Sequence, residues 1–305
     1  MIDAHTHLMQ DVHDGERLPR SVGDIPGLDL GELLAGMDRV GLSHVVTLSQ
    51  EMTRVRDQWL GSNELAADLQ ARSGGRLLAL ASFEPITPDN RFNDRRFGQV
   101  REMVQSRAVT GLLITPPYGH FELNDRRAYP FYQLAAEVEV PVFVHLVHHA
   151  EDPGRANPAP GGGPAYATRL WRLEQVAADF PQLRFNIEHM ADPWMEDLLA
   201  IMPHCGNVWT DITKITARPG IAAWLHLARE QGFLDRVFWG TDYVGTDIDE
   251  YLEWVTSGID WTRNQLAGRM ADAGFAPLGE VEIDGLLRGN AGRFLGSLLT
   301  GGAAE

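Results

Sequence analysis

The sequence predicts an α/β protein of the (β/α)8, or TIM-barrel, class, folded as a single domain across residues 1–305. Three observations carry that expectation: eight short apolar runs recur along the chain, segments with helical spacing of apolar residues lie between them, and 305 residues hold a barrel with room to spare. A barrel of this class takes about 250 residues, which leaves one insertion and a C-terminal extension. In order, the first run is Met1–His5, followed by the long polar loop Met9–Leu28, read as the insertion, and by the helical segment Leu30–Val40. Ser43–Ser49 precedes the helix-spaced Trp59–Arg72; Arg76–Ser82 and Val109–Thr115 come next, and then the helical segment Tyr129–Val138. Pro141–Leu146 is almost unbroken Val, Phe and Leu, the pattern of a strand covered on both faces. A Gly- and Pro-rich stretch, Asp152–Pro164, separates it from the helical segment Tyr166–Phe180 and reads as a mobile loop over the active face. Arg184–His189, Asn207–Asp211 and Arg236–Thr241 complete the strands, with helical segments Trp194–Met202 and Ala217–Gln231 between them. Val281–Leu299 reads as the terminal helical extension.

Composition removes whole classes of function. With 44% hydrophobic residues the chain can bury a sizeable core, and 42 acidic against 26 basic residues give a formal charge of −16, which disfavours nucleic acid and anionic membrane as partners. Lys214 is the single lysine and Cys205 the single cysteine. One cysteine excludes an internal disulfide and any multi-cysteine metal site, so a reducing, cytoplasmic setting is expected. No apolar stretch approaches the roughly 20 residues of a membrane span, and the opening residues read as a strand rather than a secretion signal.

The 11 histidines are the conspicuous feature. Active sites of such barrels sit where the strands end at their C-terminal edge. His5 and His7 stand two residues apart at the end of the first run, and the two-residue period of a strand turns both toward one side. His145 ends the fifth run, His189 the sixth, and Asp242 follows the eighth. Any one such histidine is more often a hydrogen-bonded core or loop residue, but five chemistry-bearing residues at one predicted edge form a pattern. Three histidines and a carboxylate suit zinc or another divalent transition ion.

These residues lie within stretches that resemble the amidohydrolase superfamily. Ile2-Asp3-Ala4-His5-Thr6-His7-Leu8 is similar to its strand 1 signature. Thr115-Pro116-Pro117-Tyr118-Gly119, Tyr129-Pro130-Phe131-Tyr132, Pro141-Val142-Phe143-Val144-His145, Glu188-His189-Met190, Trp239-Gly240-Thr241-Asp242-Tyr243 and Gly289-Asn290-Ala291-Gly292-Arg293-Phe294 follow in the order of its amidohydrolase-related branch, which includes aminocarboxymuconate semialdehyde decarboxylase. The resemblance runs from Ile2 to Phe294. It implies one divalent metal ion, zinc first with manganese and iron as alternatives, held by His5, His7, His145 and Asp242. It also implies His189 as the acid/base residue beside the ion, a homodimer, and a small-molecule substrate.

Departures from the family pattern narrow the chemistry. The fourth run reads Gly111-Leu112-Leu113-Ile114-Thr115 and has no lysine to carbamylate, so a binuclear hydrolase bridged in that way is excluded. His189 is followed by Met190-Ala191-Asp192-Pro193-Trp194 where glycines are usual, and the seventh run ends in a cluster of Asp211, Thr213 and Lys214 that a generic member need not have. The leading expectation is non-oxidative decarboxylation of a small carboxylated or cyclic metabolite, a C–C lyase reaction with His189 moving the proton. One alternative is hydrolysis of a lactone or amide with Asp242 as base. Another is a dinuclear iron oxygenase, with a second metal taken by His148, His149, His13, His120 or Asp192. A metal-free binding protein would be marked by a lost ligand, and none of the five positions is lost.

The remaining candidates read plainly. His44, His204 and His226 are expected to be structural, and Cys205 lies at the end remote from the chemistry. Trp194 and Tyr243 follow site residues and either line an apolar pocket or pack beneath the loops. Arg155 and Arg169 flank the loop after the fifth run and are candidates to meet a substrate carboxylate.

Overall fold

Eight parallel strands pair in chain order: β1 (Ile2–Thr6), β2 (His44–Leu48), β3 (Leu77–Ser82), β4 (Gly111–Ile114), β5 (Val142–Val144), β6 (Phe185–Ile187), β7 (Val208–Asp211) and β8 (Val237–Phe238). The computed structural model describes residues 1–9, 11–13, 16–56, 58–146, 169–213 and 220–300; the Asp152–Pro164 stretch, Arg155, His148, His149 and Lys214 lie outside them. The ring closes between β1 and the segment that follows β8: Ala4 N–H donates to the Trp239 carbonyl (3.3 Å), Asp242 N–H to His5 (2.8 Å) and His7 N–H to Tyr243 (2.7 Å). All eight expected runs are strands of this barrel, with helices between them.

Alternate side chains separate two apolar layers. Ile2, Ala4, Val46, Leu48, Leu78, Leu80, Leu113, Phe143 and Phe238 fill the interior. Val45, Leu77, Ala79, Leu112, Val142, Phe185 and Val208 face outward and pack under the helices. The C-terminal extension closes the bottom of the barrel. It runs through helices Glu280–Asp284 and Asn290–Leu295, joined by a π-turn at Gly285–Gly289. Phe294 inserts against Phe143, Trp209 and Phe238 at ring separations of 5.7, 5.5 and 5.2 Å. Asn290 fastens it by donating to the carbonyls of Leu234 and Val237.

The insertion is more ordered than a polar loop. Asp11–His13 pairs antiparallel with Gln58–Leu60, which pairs in turn with Gln50–Glu51, making a three-stranded sheet beside the β2 end of the barrel mouth. The expected helix from Trp59 therefore begins four residues later. Trp59 and Leu60 belong to the small sheet, Gly61 turns the chain at φ +62°, and Ser62 caps the helix Asn63–Arg72 by accepting from Leu65 N–H (3.0 Å). Among the described residues no helix is long and apolar enough to cross a membrane.

Where β2 and β3 end, Glu51 and Glu84 are buried side by side. Glu51 accepts from Glu84 N–H (3.0 Å), and Glu84 accepts from Arg54 N–H (3.2 Å). Burial, reinforced by the Glu51 charge, pushes the Glu84 carboxyl up from 4.5 to about 8. The folded chain then binds the extra proton between those values, so stability falls as pH rises through this window. Glu84→Gln is expected to raise Tm by roughly 3–6 °C at pH 8.5, with the gain vanishing near pH 4.5, as read by thermal unfolding at both pH values.

Candidate functional site

The site is built on β1, and a local irregularity orients it. Ile2 and Ala4 face the barrel interior, Asp3 faces outward, and the β1–β2 register shifts between Asp3 and Thr6. This bulge reverses the alternation, so that His5, packed 6.3 Å from the interior ring of Phe143, also points inward, and His7 follows it. Asp3 is left among the helices, where it accepts from Thr241 Oγ1 (2.7 Å) and Tyr251 Oη (3.0 Å). Burial raises its carboxyl to about 6 against those bonds.

Each imidazole is tied at Nδ1. His5 Nδ1–H donates to Asp211 Oδ2 (3.1 Å), and His7 Nδ1–H donates to the Leu48 carbonyl (2.8 Å). Their Nε2 atoms lie 3.4 and 3.6 Å from the same oxygen, Asp242 Oδ1. Asp242 reaches that place through Gly240. A Cβ there would stand 2.8 Å from the His5 backbone nitrogen, 2.8 Å from Thr213 Cγ2 and 2.9 Å from His5 Cβ, so only glycine lets the chain after β8 pass so close to β1. Asp242 itself adopts φ +52°.

The β6 end supplies the opposite wall. His189, Met190 and Ala191 are three consecutive residues in the left-handed region, at φ +55°, +52° and +59°. Such backbone is costly for residues with a Cβ and concentrates at functional sites. It turns Glu188 and His189 both toward the centre. His145, at the end of β5, donates from Nδ1 to Glu188 Oε2 (2.6 Å), and its Nε2 hydrogen-bonds the Tyr118 hydroxyl (3.2 Å). His189 Nδ1 meets Thr213 Oγ1 (2.5 Å), and its Nε2 lies 3.7 Å from Asp242 Oδ2.

Three buried carboxylates, Glu188, Asp211 and Asp242, thus surround His5. Burial opposes charge on the ring, yet these carboxylates together lift its pKa to about 10. Burial raises Glu188 to about 7, and burial lowers His189, which keeps that ring neutral. The field that draws a proton onto His5 equally favours a divalent cation. His5 Nε2 and Glu188 Oε1 are both buried without a hydrogen-bond partner and lie 3.9 Å apart, as two donors to one ion would. Among the described residues, two triplets of donor atoms fall within 4.8 Å: His5, His7 and Asp242, and His5, Glu188 and His189. The residues therefore fit a divalent metal.

Of the residues singled out from sequence, His5, His7, His189 and Asp242 come together, and His145 joins them through Glu188, outside both triplets. The Glu188 contribution was hidden in the sequence, because an acid beside His189 carries no periodic signal of its own. Asp192 is buried, and His120 caps the short helix Pro116–Gly119. His13 falls in the small sheet. Tyr243 packs on Tyr251 and Trp254, and Arg169 lies over the Trp194 ring at 4.3 Å. His226 stacks on Phe275 in the helical layer, and burial pushes the Cys205 thiol up.

A family model described as "Amidohydrolase" matches residues 2–297. Among solved structures, the chain is similar to a probable 2-pyrone-4,6-dicarboxylic acid hydrolase from Acinetobacter baumannii, at 14% identity and a TM-score of 0.60, over 97% of this chain and 98% of that one. It is similar to a 4-oxalomesaconate hydratase from Rhodopseudomonas palustris at 17% identity and a TM-score of 0.61, over 99% and 98%. It is also similar to a 5-carboxyvanillate decarboxylase from Novosphingobium aromaticivorans, complexed with manganese and a nitrobenzoic acid, at 15% identity and a TM-score of 0.56, over 88% and 80%. No curated protein matches the chain.

Two outcomes are expected from this geometry. Gly240→Ala abolishes metal binding and lowers Tm, whereas Gly268→Ala, with nothing within 4 Å of the added carbon, leaves metal content unchanged and does not lower Tm; elemental analysis and thermal unfolding read both. Because a proton on His5 competes with the ion, adding zinc to metal-free protein at pH 7.5 releases about one proton and binds more tightly as pH rises toward about 10, measured by calorimetry in buffers of differing ionisation enthalpy.

Proposed function

The chain belongs to the amidohydrolase family, and from that premise we propose that it is a metal-dependent enzyme that removes a carboxyl group from a small carboxylated, cyclic metabolite without oxidation. The observation that carries the reading is the convergence of His5 Nε2, His7 Nε2 and Asp242 Oδ1 on one buried point, with His189 Nε2 facing the same carboxylate. His5, His7 and Asp242 would hold the ion, with Glu188 Oε1 beside His5 Nε2 as a further donor and His145, ordered by Glu188 Oε2, as another ligand. Zinc is the first choice, and the manganese named for the decarboxylase of like fold supports a divalent ion. The interior of β4 is the apolar Leu113, so a carbamate-bridged pair of metals has no lysine there to build on. That favours C–C cleavage over binuclear hydrolysis.

A bound divalent ion would polarise the substrate oxygens and hold the carboxylate end in place. His189 is neutral, its Nδ1 is committed to Thr213, and its Nε2 is the atom that exchanges a proton. Nε2 takes up one proton, from an acidic O–H of the bound substrate or from water entering with it, and delivers it to the carbon from which carbon dioxide departs, so the C–C electron pair of the carboxylate becomes the new C–H bond.

Elemental analysis of the purified protein is expected to give close to one divalent ion per chain. Carbon dioxide release from a panel of aromatic and unsaturated cyclic carboxylic acids tests the reaction. Release of acid from lactones or amides without carbon dioxide would replace it with hydrolysis, and two iron atoms with oxygen consumption would replace it with an oxygenase. His189→Asn should retain the metal and lose turnover by about 10²–10⁴-fold. Loss of metal in that variant would place His189 among the ligands instead.

A further inference from the structure

The cluster that closes β7 has no part in holding the ion, yet it touches both histidines that matter most. Asp211 is fully buried and collects five donors. His5 Nδ1 (3.1 Å) and Asn186 Nδ2 (2.8 Å) meet Oδ2, and the backbone N–H groups of His189 (3.0 Å) and Thr213 (3.3 Å) meet Oδ1 together with the Thr213 hydroxyl (2.5 Å). A carboxyl surrounded in this way has no acceptor for a proton of its own and acts as an acceptor alone. The single proton of the Thr213 hydroxyl is thereby committed to Asp211. Thr213 Oγ1 also lies 2.5 Å from His189 Nδ1, and since its proton points elsewhere, it can only accept there. The His189 ring therefore carries a proton on Nδ1, and whenever it holds that proton alone the lone pair is on Nε2.

We infer that Asp211 and Thr213 are positioning residues that fix the tautomer of His189. One carboxylate aims both rings: Oδ2 holds His5 directly, and Oδ1 holds His189 through the threonine hydroxyl. The left-handed turn at His189 is consistent with this role, because it presents the backbone N–H and Nδ1 of one residue to the same Asp211–Thr213 unit. With the proton on the other nitrogen, Nε2 would be a donor facing the centre and could not accept the substrate's proton. The assignment rests on the reading of His189 as the proton-transfer residue, but its principal test does not.

That test is the ring nitrogen spectrum of the full-length, zinc-loaded protein carrying ¹⁵N-histidine at pH 8, with the His189 signals identified by their loss in His189→Asn. The parent and Thr213→Ser should both show the Nδ1–H tautomer at His189. Thr213→Val, equal in shape but without the hydroxyl, should lose it while zinc content stays at the parent level. Where turnover is measured, kcat should fall about 10–100-fold in the valine variant and recover with serine. An Nε2–H tautomer in the parent overturns the inference even if the valine variant fails to fold, and so does an unchanged His189 spectrum in a folded Thr213→Val. Absence of carbon dioxide release would defeat the proposed reaction and leave the tautomer result standing, so the two failures are told apart.

Discussion

Everything in the site depends on how closely the chain after β8 approaches β1. Asp242 lies more than two hundred residues from His5, yet the two are joined by a backbone hydrogen bond of 2.8 Å, and Gly240 is the position at which a side chain would forbid it. Closing the barrel and assembling the metal donors are one event. The bulge at Ala4–His5 belongs to the same constraint, since without it the two histidines would point into the helical layer with Asp3. A site whose donors come from opposite ends of the chain exists only in the folded protein, so an ion bound there would stabilise the fold.

Electrostatics set the second constraint. Burying Glu188, Asp211 and Asp242 around one point is unfavourable unless positive charge shares it. A proton on His5 or a divalent ion meets that need, and the orphaned Nε2 of His5 beside the orphaned Oε1 of Glu188 marks where the charge belongs. Glu84 illustrates the other solution. Buried beside Glu51 and held up to about 8, it keeps its proton through neutral pH. The same fold thus neutralises one acidic cluster by protonation and prepares another for a cation.

Much of this was legible in the residues. The strands of a parallel barrel are buried on both faces, so they appear as continuous apolar runs, and all eight stand where such runs occur. His5, His7, His189 and Asp242 were legible because strand ends locate the mouth of a barrel. The three-stranded sheet was not, because strands of two or three residues leave no periodic trace and Trp59–Leu60 share an apolar pattern with the helix that follows. The bulge in β1 and the left-handed turn after β6 were likewise invisible, since no glycine announces either. The Gly289–Phe294 stretch, a mark of resemblance in the sequence, serves packing: it plugs the barrel with Phe294.

The partners of the imidazoles divide their labour. His5 donates to a carboxylate, which strengthens Nε2 as a ligand and binds the ring firmly in place. His7 donates to a neutral carbonyl, which orients the ring with less gain in basicity. His189 donates to a hydroxyl, the weakest acceptor of the three, and burial holds the ring neutral. A ring that must keep an ion benefits from the strongest partner, whereas a ring that must take a proton and give it back benefits from a partner that favours neither state strongly. Although all three rings converge on one carboxylate, the atoms behind them suit His5 and His7 to holding charge and His189 to moving it.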